Sequence, residues 1–236
     1  MTGEVDRGPI DSRTWPQQLD GHAVSVSDHR LFGYDVERDL AAFYRFSDVL
    51  FLSLVGELPD DARSRAFEIA LCFTMPVSVA HAAVHAAALA RLCGARPSGV
   101  LSAGGLVLGE EATAAVSAAN DALAAQETSG ADLPPGLRAS SDAERASVAR
   151  LAALLDGVLE VPALRAGPSR DVALLAVFRS CGVTSAFSLA CLVALARLPS
   201  AVAEASRVRP GDFPTYPLDT PHFEYVAPPH AKRESP

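Results

Sequence analysis

Between Arg179 and Arg197 the chain carries no charged residue. Such a run is too long for a strand and sits at the lower bound for a bilayer-spanning helix, roughly 17 residues. It must therefore be a helix, either in a membrane or in a packed interior. Gly182, Thr184, Ser185 and Ser188 dilute its hydrophobicity, so it is read as a buried core helix and no membrane association is expected. The rest of the chain agrees: hydrophobic residues make up 49% and charged ones 20%, with only 6% aromatic. Its Ala- and Leu-rich runs suit helices packed closely through small side chains, because those residues lose little entropy in a helix. No strand-like alternation and no internal repeat interrupts this pattern, so the expected fold is all-α.

The formal net charge of −8 gives the chain no basic face with which to attract nucleic acid. Lys232 is the only lysine, so anion recognition falls to arginines, histidines or helix N-termini. Cys72, Cys93, Cys181 and Cys191 are scattered, with no C-x-x-C pair, and Met1 to Asp20 is polar. Reduced thiols without a secretory leader lead to a cytoplasmic expectation.

Glycine and proline punctuate the helical runs. Residues 1–30 form an irregular lead-in around Trp15, residues 31–210 the helical body, and residues 211–236 a proline-rich tail. Asp35 is a candidate N-cap for a helix from Val36 to about Gly56, where Gly56-Glu57-Leu58-Pro59 combines a C-cap glycine with a proline. Further helices are expected from Asp60 or Asp61 to Phe73, and from a Ser78 cap through His81, His85 and Arg91. Ser98 to Leu108 follows, where Gly104-Gly105 suggests close backbone packing. Beyond an exposed loop at Glu127 to Ser141, helices are expected at Asp142 to Leu159, from Asp171 through about Ser180, again up to Leu198, and briefly at Ala201 to Arg207.

Several segments carry a resemblance. Gly33-Tyr34-Asp35-Val36-Glu37-Arg38-Asp39-Leu40 resembles the "RGYdiedL" motif of citrate synthases, and Phe46 to Pro59 their "F.eviyLLl.GELP" segment. Pro76-Val77-Ser78-Val79-Ala80-His81 is more similar to the "PAVSGAH" of the citryl-CoA lyase module of ATP-citrate lyase. Asp171 with Phe178-Arg179-Ser180-Cys181-Gly182 resembles that module's "NVDG…MLRNCG", and Arg207-Val208-Arg209-Pro210 its closing "R..RP". The resemblance covers about residues 25 to 225, with a gap between about 114 and 165. It implies a citrate synthase-like helical fold whose small domain, about residues 114–165, is reduced.

The resemblance further implies a homodimer that acts on a coenzyme A thioester and a di- or tricarboxylate, with no permanently bound cofactor. Its chemistry makes or breaks a carbon–carbon bond alpha to an acyl-CoA carbonyl, as an acyltransferase or, in the direction favoured here, a lyase. Asp171 would exchange a proton with the thioester α-carbon, and His81 would contact the carboxylate or hydroxyl of the second substrate. A thioester α-proton is weakly acidic, so a placed base and an oxyanion donor are both needed. Arg209 leads the candidates for carboxylate binding, followed by Arg179 and Arg91.

The departures are specific. Thr113 stands where citrate synthases carry the histidine of "GGPLHGGA", and residues 114 to 170 contain no histidine to match the family's "G.GH". A catalytically silent paralogue, binding a partner enzyme or an acyl thioester, is the alternative this leaves open. Asp171 as a first-turn acid, His81 as a core histidine and the arginines as surface ion pairs are the plainer readings. His81 and His85 lie four apart, but no third ligand and no H-E-x-x-H glutamate accompanies them, so no metal is expected.

Overall fold

The computed structural model describes residues 21–25 and 29–212. The expectations for the lead-in around Trp15 and for the tail beyond Asp212 fall outside the described residues. The architecture is all-α apart from one small antiparallel sheet, β1 (Ala23–Ser25), β2 (His29–Leu31) and β3 (Tyr34–Asp35). Strands this short leave no alternation to read. Leu31 pairs with Tyr34, so Phe32 and Gly33 form a two-residue turn with φ of 49° and 86°. Positive φ at both positions matches the right-handed twist of a tight hairpin. Phe32 is held there by stacking on His22, ring centroids 4.5 Å apart.

Asp35 is the expected cap. Its Oδ1 accepts from the backbone N–H groups of Arg38 and Glu37 at 2.9 and 3.0 Å, and the Arg38 amide above all holds its carboxyl below the ordinary 3.8. A π-helical turn (Val36–Leu40) and α1 (Ala41–Phe43) follow. The single helix expected from Val36 to Gly56 is broken at Tyr44 and Arg45, where the backbone is extended before α2 (Phe46–Val55). Buried Asp48 explains the break. It accepts from the Arg45 N–H at 3.0 Å and from Ser64 Oγ at 2.5 Å, so α2 starts afresh over its own acid. Gly56, at φ 88°, ends α2 as expected. Asp60 caps α3 (Asp61–Thr74), accepting from the Arg63 N–H at 2.8 Å.

The remaining helices are α4 (Ala82–Leu92), α5 (Pro97–Ser129), α6 (Asp142–Leu155), α7 (Arg170–Ser180) and α8 (Ala186–Arg207). The described residues divide into two compact units, those up to 76 with 109–196, and 77–108 with those from 197 to 212. Both α5 and α8 contribute to each of them. Two expected helix ends are thus absent: α5 runs on past Leu108, and α8 continues through Pro199. Pro199 lacks the N–H that would bond the Leu195 carbonyl, but both positions are at the surface, where water can serve that carbonyl.

In the first unit α7 is the central helix, with every residue from Val172 to Arg179 buried. Such all-round burial is the mark of a core helix. Phe51, Phe67 and Phe178 meet edge to face, at centroid distances of 5.3 and 5.6 Å. The segment after α5, expected to be an exposed loop, buries Leu133 and is tied to the approach to α7. The Ser169 N–H donates to Leu137 O at 2.8 Å, and the Ala139 N–H to Gly167 O at 3.0 Å.

Within this unit α8 is only half a core helix. Leu189, Leu192, Val193 and Ala196 form its buried stripe, while Phe187 is 80% and Leu195 50% exposed. That corrects the expectation of full burial: the run is apolar on both faces, but only one face is covered. By length and composition α8 is also the one described helix that could cross a membrane.

The second unit is built on Val84 and Ala87 of α4, Val100 of α5, and Ala201 and Ala205 of α8. The close packing expected at the paired glycines occurs at Gly104. A Cβ there would lie 3.3 Å from Ala87 Cβ and 3.5 Å from Ala83 O, whereas Gly105 has nothing within 4 Å.

Candidate functional site

A cleft of about 590 Å³ opens in the second unit. Three pieces of chain form it: the turn before α4, one face of α4, and the end of α8 with the loop that follows. Before α4, Ser78 Oγ accepts from the Ala80 N–H at 3.2 Å and shapes the turn. The helix cap itself is His81, one turn later than the Ser78 expected, because its Nδ1 accepts from the Ala83 N–H at 3.3 Å. With Nδ1 accepting, the proton of a neutral ring sits on Nε2, which makes that atom a donor. Ala80 lines the cleft, and from α4 so do Val84, His85 and Ala88. The opposite lining comes from Glu204, Arg207, Val208, Arg209 and Asp212. This loop is fixed to α4 by the Gly211 N–H donating to Leu92 O at 2.8 Å.

The structure therefore brings His85 and Arg209 into one cleft, with His81 capping the helix that carries His85. Arg207 Nη1 lies 3.7 Å from Glu204 Oε1. Arg209 makes no ion pair among the described residues, so its guanidinium is available to a carboxylate in the planar, two-bond geometry arginine favours. Arg91 lies in the last turn of α4, half-buried, and does not line the cleft.

The other two candidates belong to the first unit. Arg179 is 8% exposed, and its donors are already engaged. Nε and Nη2 reach the two Glu127 carboxylate oxygens at 2.9 and 2.7 Å, and Nη1 reaches Asn120 Oδ1 at 2.6 Å. This is a two-bond arginine–carboxylate pair made within the protein. Asp171 is exposed in the first turn of α7, where a negative charge suits the helix dipole. The preceding residue is anchored, since Arg170 Nη2 donates to Phe73 O at 2.5 Å. Nearby in sequence, Cys181 accompanies the glycine turn after α7; burial pushes its thiol up to about 12, so it stays protonated and is no nucleophile.

His85, Glu204 and Asp212 are cleft residues that the sequence reading did not select. The available signals were the four-residue spacing of His81 and His85 on one helix face, and the position of Glu204 three residues before Arg207. Among the described residues, no three His, Cys, Asp or Glu side chains cluster as metal ligands would.

No protein-family model matches the sequence, and no curated protein matches it. Solved structures do resemble the fold, among them two lyases. One is citryl-CoA lyase from Hydrogenobacter thermophilus, with a TM-score of 0.62 at 19% identity, covering 91% of this chain and 96% of that one. The other is ATP citrate lyase from Methanothrix soehngenii in complex with citrate and coenzyme A. It aligns with a TM-score of 0.56 at 15% identity, over 93% of this chain and 43% of that one. Together with the helix order described above, these place the chain in the all-α, citrate synthase-like fold of the citryl-CoA lyases.

Proposed function

We propose that the chain is a citryl-CoA lyase-like enzyme that makes or breaks a carbon–carbon bond alpha to an acyl-CoA carbonyl, with the lyase direction favoured. The observation that carries this reading is the cleft of the second unit, where an arginine without an ion pair among the described residues stands with His85, beside the helix that His81 caps. In the lyase direction a β-hydroxyacyl thioester loses its hydroxyl proton to water while the Nε2–H of His81 donates to that oxygen. The resulting alkoxide becomes a ketone as the bond between the α and β carbons breaks. That bond's electron pair passes to the thioester α-carbon as an enolate, and Asp171 passes it a proton taken from water. The products are an acyl-CoA and a keto acid, and Arg209 holds the carboxylate that stays with the acid. Coenzyme A thioester is thus substrate, not resident cofactor. Arg91 and Arg179 are left outside this assignment, the latter because Glu127 occupies it.

The reading makes turnover slow, since loss of one oxyanion donor costs about 100- to 1,000-fold, and residues 114 to 170 supply no histidine. That same gap supports the second reading, a silent paralogue that binds an acyl thioester or a related enzyme. The test is an assay of thioester consumption and keto-acid formation with citryl-CoA and related β-hydroxyacyl thioesters on wild type and Asp171→Asn. Slow cleavage lost in the variant is the expected result. Turnover that survives Asp171→Asn removes the assigned acid, and binding without turnover in either protein favours the paralogue.

We further propose a homodimer in the cytoplasm, in contact with neither nucleic acid nor membrane. Its support is the exposed apolar face of α8, where a groove of about 250 Å³ runs from Phe187 to Ala194 beside Gly109 to Ser117 of α5.

A further inference from the structure

The charges in the cleft do not suit a tricarboxylate, and we infer that the acid it takes carries a single carboxylate on an apolar body. This rests on the cleft being the acid-binding site of the enzyme proposed above and narrows its substrate class. The lining holds two arginines, Arg207 and Arg209, and two acids, Glu204 and Asp212. Apart from His85, its formal charge is therefore zero. Arg207 is already paired with Glu204 at 3.7 Å. Arg209 is the guanidinium with no such pair among the described residues, and one guanidinium matches one carboxylate through two parallel bonds.

The rest of the wall is aliphatic: Val79, Ala80, Val84, Ala88 and Val208. Val84 and Ala88 are 3% and 5% exposed, so they are fixed parts of the core that present no donor. Apart from the His85 ring, a second or third carboxylate would meet these side chains without a hydrogen bond, or the carboxylates of Glu204 and Asp212. Both outcomes are unfavourable, the first by desolvation and the second by like-charge repulsion. A branched 2-oxo acid meets neither obstacle: its carboxylate takes Arg209 and its alkyl group takes the valines. In reaction terms, the lyase then releases, or the reverse reaction consumes, a 2-oxo monocarboxylate and not a 2-oxo dicarboxylate.

The test is calorimetric titration of the full chain with 2-oxoisovalerate and, separately, with citrate. The expected result is that 2-oxoisovalerate binds at least about tenfold more tightly than citrate. Arg209→Gln should weaken it by about tenfold or more, with the unfolding midpoint unchanged. The double variant Glu204→Gln/Asp212→Asn removes both negative charges and releases Arg207. Citrate affinity should then rise by about tenfold while 2-oxoisovalerate changes little. Citrate binding more tightly to wild type, no gain in the double variant, or no binding of either acid overturns the inference. The titration needs no turnover, so the two proposals fail separately. A chain that binds 2-oxoisovalerate through Arg209 yet cleaves no thioester sinks only the lyase. A chain that cleaves citryl-CoA and prefers citrate sinks only this one.

Discussion

Arg179 shows how the same residue chemistry serves structure or ligand depending on what faces it. A buried guanidinium needs a carboxylate, and the protein supplies Glu127 from a helix far away in sequence. Removing one partner of a buried pair typically costs about 3–5 kcal/mol; here the Glu127 side chain is 38% exposed, and water can rescue part of that loss. Arg179→Ala is therefore expected to destabilise the fold by about 2–3 kcal/mol, read as a lower urea midpoint. A variant that lost acid binding at unchanged stability would instead show that the residue meets substrate. The sequence could offer Arg179 as a carboxylate binder but not show which carboxylate it binds, because the partner lies 52 residues away. Arg209 was legible for the opposite reason: it follows the end of a helix, in a short segment with its own motif.

Among the elements, the local signals were read well except at Ser78, where His81 is the cap, and the long-range ones were not. Asp35, Gly56 and Asp60 act at helix ends within a few residues of themselves, and each does there what its chemistry predicts. The restart of α2 depends on Ser64 reaching back to Asp48, and α8 passes Pro199 because the affected carbonyl is near solvent; neither fact is local. The Gly104-Gly105 pair separates packing from propensity. Gly105 has open space around its missing Cβ, so Gly105→Ala should stabilise by up to about 1 kcal/mol through helix propensity alone. At Gly104 the Cβ would already press on Ala87. Gly104→Val is therefore expected to cost about 1–3 kcal/mol through overpacking. Thermal unfolding of the two single variants checks both signs; equal effects would mean that Gly104 is not a packing position.

For the whole molecule, the fold class was visible in short motifs, while the charge balance of the cleft that Arg209 lines was not. Glu204 and Asp212 are ordinary acids until the second unit sets them beside the arginines. The uncovered side of α8 is likewise invisible to a reading that sees only an apolar run. With Phe187 80% exposed and Leu195 50% exposed, the proposed dimer should depend on that side. Phe187→Asp is expected to convert it to a monomer of unchanged helix content, checked by light scattering and circular dichroism. Wild type that runs as a monomer at micromolar concentration would remove the dimer.

The second unit is assembled from residues 77–108 and from residues 197 onward. A ribosome makes the earlier piece long before the later one. Until Ala201 and Ala205 emerge, Val84, Ala87 and Val100 lack the helix that covers them, and the Leu92 carbonyl waits for the Gly211 N–H. Shortening the chain before Ala201 therefore removes more than the final helix: it leaves an early segment greasy and unfinished, a natural target for chaperones and for quality-control proteases.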